Sequence, residues 1–99
     1  MRKRDIKVGM KVRIRQGYHD RDLPDWEIGG AVATVDSLEG EQVVVRFERG
    51  TFSREYQNAF RQIYNASAYK GRYWLPLRAV LPDNGERILF PKPGRKIKP

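Results

Sequence analysis

Seven cations open this 99-residue chain: Arg2, Lys3, Arg4, Lys7, Lys11, Arg13 and Arg15. The last three alternate with Val12 and Ile14. An extended backbone therefore sets Lys11, Arg13 and Arg15 on one side, about 7 Å apart, close to a phosphate spacing on a single strand. Arg46 adds a cation on a second apolar run. Tyr18, Tyr69 and Tyr73 fall in or near expected loops, where rings can stack on bases. Cations for affinity and rings for base contact are what nucleic-acid binders combine. At the other end, residues 91–99 read Pro-Lys-Pro-Gly-Arg-Lys-Ile-Lys-Pro. There Lys92, Arg95, Lys96 and Lys98 can follow an RNA or DNA backbone, or an acidic protein surface.

A second group of residues has the opposite sign. Asp20, Asp22, Asp25 and Glu27 lie beside Tyr18 and Trp26. Carboxylates pair with arginine, and an aromatic wall accepts a polyproline helix. The spacing lacks the glycine and distal glutamate of a calcium loop, so no metal is expected.

The charge is blocked along the chain. Residues 1–15 are net +6, residues 16–45 net −6 and residues 46–99 net +8, which leaves +8 in all and a pI near 10.1. That balance exceeds what solubility requires and favours an acidic partner. Cysteine is absent, which removes disulfides, thiolate nucleophiles and cysteine metal sites. His19 is the single histidine, and with no glycine-rich phosphate cradle and no Ser/His/Asp set the chain is not expected to be an enzyme or to carry a cofactor. No apolar run approaches the ~20 residues that cross a bilayer, and no apolar stretch follows Arg4 as in a secretory signal. A cytoplasmic location without membrane insertion is the expectation.

What must position these groups is mostly β structure, because the apolar period is two. Strands are expected over 10–14, 31–35 and 42–48, the last with Val43, Val45 and Phe47 inward and Val44 outward. Residues 16–29 read as a long loop and 36–41 as a turn. Arg49-Gly50 suits a tight hairpin into a partner strand over 51–56. Phe60, Ile63 and Tyr64 then fall at helical spacing, within a short helix over 56–69 that Gly71 closes. Pro76 places 73–80 at an edge. Asn84-Gly85 suits a hairpin turn before a last strand at 88–90. Phe47, Phe52, Tyr56, Phe60, Tyr64, Trp74 and Phe90 are assigned to the core, since a small barrel needs large rings to fill it. The organisation expected is a basic arm over 1–5, one domain over 6–90 with an insertion at about 57–72, and an extended, mobile basic tail over 91–99.

Ile6-Lys7-Val8-Gly9-Met10-Lys11-Val12-Arg13-Ile14 resembles the opening strand of SH3-like barrels of the KOW and Tudor kind. Gly30 to Val35 and Val43 to Phe47 look like their second and third strands. Trp74 to Val80 is similar to their helical turn and closing strand. The stretches Gly30 to Val35 and Val43 to Arg49 also resemble the photosystem I subunit IV family, although the loop at 16–29 is longer and more acidic.

Five or six short strands with one helical insertion suggest a small closed or half-closed antiparallel barrel, which the resemblance also implies. Two functions follow as expectations. The first is a non-catalytic module docking through Lys7, Lys11, Arg13, Arg15, Arg46, Tyr69, Tyr73, Lys92, Arg95 and Lys96 onto nucleic acid, within a nucleoprotein complex. The second is a protein-docking module. It takes a Pro/Arg-rich peptide at Tyr18, Asp20, Asp22, Asp25, Trp26 and Glu27, as SH3 domains do, or serves as an accessory subunit of an electron-transfer or other larger assembly.

Overall fold

The computed structural model describes residues 2–48, 50–64, 71–83 and 93–96. Seven short strands and one helix follow in chain order: β1 (Lys11–Ile14), β2 (Trp26–Glu27), β3 (Val32–Glu39), β4 (Gln42–Phe47), α1 (Arg54–Tyr64), β5 (Arg72–Pro76), β6 (Val80–Pro82) and β7 (Arg95–Lys96). Five form an antiparallel sheet in the order β5-β4-β3-β1-β6, and β2 pairs with β7 in a separate ribbon. The fold is therefore mainly β, as the period-two pattern requires.

The sheet curls without closing. A flat sheet would hold β5 and β6 four strand spacings apart, roughly 19 Å. Yet the two edges are joined by the single 3-10 turn Leu77–Ala79, whose rise is only about 6 Å. No ladder joins β5 to β6 among the described residues. Pro76 and Pro82 stand on these edge strands, where a missing N–H costs no central hydrogen bond.

The core lies inside the curl. Val12, Ile14, Ala33, Val35, Val43, Val45, Tyr73, Leu75 and Val80 line its strands, and Ile6, Ile28, Phe52 and Tyr56 complete it. Phe47 and Phe60 pack against this cluster, so Phe47, Phe52, Tyr56 and Phe60 fill the core as expected, while Phe90 lies outside the described residues. Ahead of β1, the expected basic arm is one exposed 3-10 turn, Lys3–Asp5, anchored by the buried Ile6.

Several local expectations are corrected. β3 runs on through Glu39, past a bulge between Val35 and Ser37, so only Gly40 and Glu41 make the turn expected over 36–41. Residues 51–56 are not a strand. Ser53 caps a helix instead: its Oγ accepts the Tyr56 amide at 3.3 Å, and Glu55 sits in the first turn where the helix dipole favours an acid. Val44 faces outward as expected, on the side of β4 away from the core, but it is buried there. Within β5 the parity is the reverse of that expected. Tyr73 and Leu75 enter the core, while Trp74 stands opposite Val44 on the outer face, with the Arg72 guanidinium 5.5 Å from its ring centroid. Its indole N–H donates to Glu39.

Part of the expected mobile tail is ordered strand. The Gly94 amide donates to the Glu27 carbonyl at 2.8 Å, and Pro93 and Gly94 are buried. The Asn84-Gly85 turn, the strand at 88–90, Tyr69 and Lys92 lie outside the described residues, as do the side chains of Tyr64 and Arg95. Among the described residues no helix is long and apolar enough to cross a membrane.

Candidate nucleic-acid interface

The expected cationic face of β1 is interrupted by carboxylates. Lys11 is exposed but lies 3.8 Å from Glu48. Arg13 Nη2 is 3.0 Å from Asp83 Oδ1, and both side chains are largely covered, at 18% and 14% exposure. Strand pairing explains this: β6 lies beside β1 with Leu81 opposite Arg13, and brings Asp83 just past its end. Arg13 is thereby committed to the fold and is withdrawn as a phosphate ligand. Arg46, on β4, is exposed and lies 3.1 Å from Asp36. Lys7 and Lys96 are exposed. Tyr73, expected to stack on bases, is 1% exposed and belongs to the core.

Arg15 has a different setting. Its Nε donates to the Arg78 carbonyl at 2.9 Å, fixing the end of β1 against the 3-10 turn that joins the sheet edges. The Arg15 amide donates to Ala79 at 2.8 Å, so the junction is held twice. A concavity of about 260 Å³ opens here, lined by Arg15, Gln16, Gly17, Tyr18, Arg78 and Ala79. Gly29 makes the corner possible. A Cβ at that position would lie 2.7 Å from both the Arg15 carbonyl oxygen and the Gln16 Cα, backbone that cannot give way.

Tyr18 is half-buried in this wall. Burial raises its phenol pKa, while the positive fields of Arg21 and Arg78 oppose the rise. Arg21 is held nearby by bonds from its guanidinium to the Trp74 carbonyl and from its amide to the Tyr73 hydroxyl, both 3.1 Å. Arg15 and Arg78 thus line the concavity with Tyr18, and the charges of Arg21 and Arg78 act on its hydroxyl. Arg15 and Tyr18 are expected here from the sequence, whereas Arg21 and Arg78 are added by the fold. Arg21 is a lone cation among acids, and Arg78 lies far along the chain; only the curl of the sheet brings them together.

The acidic loop divides. Asp20 is fully buried. It accepts the hydroxyls of Tyr56 and Tyr73 and the amides of Asp22 at 2.9 Å and Leu23 at 3.2 Å. It is therefore a fold residue, and its place in an expected peptide site is corrected. Two neutral phenols and two backbone amides supply the donors that a buried carboxylate needs. Burial chiefly, and the bond to Asp20 next, push the Tyr56 phenol far above its ordinary range. Glu27 is also occupied, accepting the Gly17 amide at 3.1 Å. Trp26 packs on Tyr56 with ring centroids 5.6 Å apart. Asp22 and Asp25 remain exposed, as does His19.

Comparison with protein-family models, with curated proteins and with solved structures finds no match for this chain.

Proposed function

We propose that the chain is a non-catalytic SH3-like module that docks onto the phosphate backbone of nucleic acid, as part of a nucleoprotein complex. The observation that carries this reading is the concavity lined by Arg15, Arg78 and Tyr18. Arginine suits phosphate because its planar donors bind two oxygens at once, and a ring beside it offers a surface for an unpaired base. The strand order, with a 3-10 turn joining the two sheet edges, supports the SH3-like assignment.

In this mechanism Arg15 and Arg78 neutralise phosphates at the concavity, and the exposed Lys7, Lys11 and Arg46 extend the contact. Lys11 and Arg46 have carboxylate neighbours, but exposed pairs of this kind contribute only about 0–1 kcal/mol, little enough to exchange for phosphate. Arg13 and Tyr73 take no part.

The test is a titration of a fluorescent single-stranded oligonucleotide across salt concentrations. Each phosphate contact adds roughly 0.7 to the log-log slope for a single strand. A slope of at least about 2 is expected from the named cations; a slope near zero removes the proposal.

A further inference from the structure

The edge of β2 holds a peptide, and the peptide is the chain's own. Residues 93–96 run antiparallel to β2, with Glu27 opposite Arg95 and Trp26 opposite Lys96. The contact is made largely by groups that would accept any chain of the right shape. Gly94 donates its amide to the Glu27 carbonyl at 2.8 Å. Ser53 takes the neighbouring carbonyls, its amide donating to Pro93 at 2.8 Å and its hydroxyl to Gly94 at 2.7 Å.

The cradle demands glycine at one position. Gly94 has a φ of 90°. A Cβ there would lie 2.5 Å from the Tyr56 Cβ and 3.0 Å from the Ser53 Oγ. The floor is Tyr56 with Trp26 packed on it, and the surrounding loop carries the exposed acids Asp22 and Asp25. The seated sequence is a proline, then an obligatory glycine, then two basic residues, and the loop ahead of β2 carries acids of opposite sign.

We propose that the β2 edge, with Ser53 and Tyr56, is a strand-addition site for extended Pro-Gly-basic peptides of a partner protein, and that residues 93–96 occupy it in cis. The seated segment defines the occupant. Strand addition draws its affinity from main-chain hydrogen bonds and its specificity from the pockets between them. Here the bonds come from Glu27 and Ser53, and the glycine slot over Tyr56 supplies the selection. A tethered segment competes at an effective concentration in the millimolar range, so a partner peptide binds appreciably once the cis segment is displaced. This site is separate from the Arg15–Arg78 concavity and stands whether or not nucleic acid binds there.

The test uses the full chain carrying Gly94→Val, which expels the cis segment, and a labelled peptide with the sequence of residues 91–99 as probe. Fluorescence anisotropy is expected to show the variant binding the probe at least about tenfold more tightly than the wild type, whose own segment competes. A probe with valine in place of its glycine is expected to bind neither. Equal binding by variant and wild type, or equal binding of both probes, overturns the proposal. So does a concentration-dependent wild-type dimer that exchanges the segment between copies, since the site would then serve self-association. Hydrogen exchange on the unaltered chain decides the matter independently of the variant's folding. The Gly94 amide is expected to exchange about 100-fold faster than the Val45 amide in β4, because a segment that leaves its site opens without global unfolding. Equal protection would make residues 93–96 an integral strand and end the proposal.

Discussion

Residues 15–18 and residues 20–23 are neighbours in one loop, and they meet opposite fates. At the first corner Arg15 and Tyr18 line an open concavity with Arg78. At the second, Asp20 is sealed inside the protein. The difference lies in what can be brought to each charge. A carboxylate accepts hydrogen bonds only, and two tyrosine hydroxyls and two amides reach Asp20 from the helix, β5 and its own loop. Guanidinium groups need several acceptors, and at the first corner the Arg78 carbonyl serves Arg15 Nε while the rest of that side chain stays exposed. Charge density in the sequence does not separate a fold residue from a surface one. The supply of partners does.

The sharpest way to break this contrast is Asp20→Ala. Four donors lose their acceptor, and a loss of about 3–5 kcal/mol is expected in urea unfolding. A cost below about 1 kcal/mol would mean that the Asp20 corner is no more structural than the other.

Tyr56→Phe sharpens it next. Removing one donor to Asp20 is expected to cost about 1–2 kcal/mol at neutral pH. Because the folded phenol pKa is raised, the stability it confers is complete below the ordinary phenol value and declines as pH rises above it. The wild type should therefore lose up to about 1.4 kcal/mol per pH unit beyond pH ~10 through this group, and the variant should lack that share. Unfolding curves at pH 9, 10 and 11 read the difference; parallel profiles would exclude Tyr56 as its source.

At the other corner the signs reverse. Arg15→Gln with Arg78→Gln should cost no more than about 1 kcal/mol of stability, since one exposed hydrogen bond to the Arg78 carbonyl is lost while the Arg15 amide bond remains. Oligonucleotide affinity should fall roughly tenfold or more, with a salt slope lower by about 1.4. Unchanged binding would detach the concavity from the proposed function. The smallest effect is expected for Lys11→Gln, at most about 0.5 kcal/mol in stability, because its partner Glu48 is half-exposed. Its salt slope should drop by less than one.

How much of this was legible varies by element. The alternation in Lys11–Ile14 and the run Gln42–Phe47 announce themselves, since the side-chain period of a strand is written directly in the residues. The edge position of Pro76 was equally readable from its missing donor. The parity of β5 was not, because Tyr73 and Trp74 are both large and aromatic. Tyr73 faces inward with Leu75, and its hydroxyl reaches Asp20 across the core. Helix α1 carried a start signal, Ser53 with Glu55 two residues on, which outranks the hairpin suggested by Arg49-Gly50. Of the candidate site, Arg15 and Tyr18 were visible as types; the withdrawal of Arg13 and the arrival of Arg78 were not, since both depend on which strands meet.

The sequence by itself determined a small, mainly β chain with excess positive charge and one acidic loop, because composition and period are local properties. The tertiary structure decided which charges are spent. Asp83 reaches Arg13 because β6 pairs with β1, Arg78 reaches Arg15 because the sheet curls, and residues 93–96 reach β2 because Gly94 can lie flat on Tyr56. Each is a long-range contact between residues that carry no mark of one another, and long-range pairing is what folding adds to a pattern.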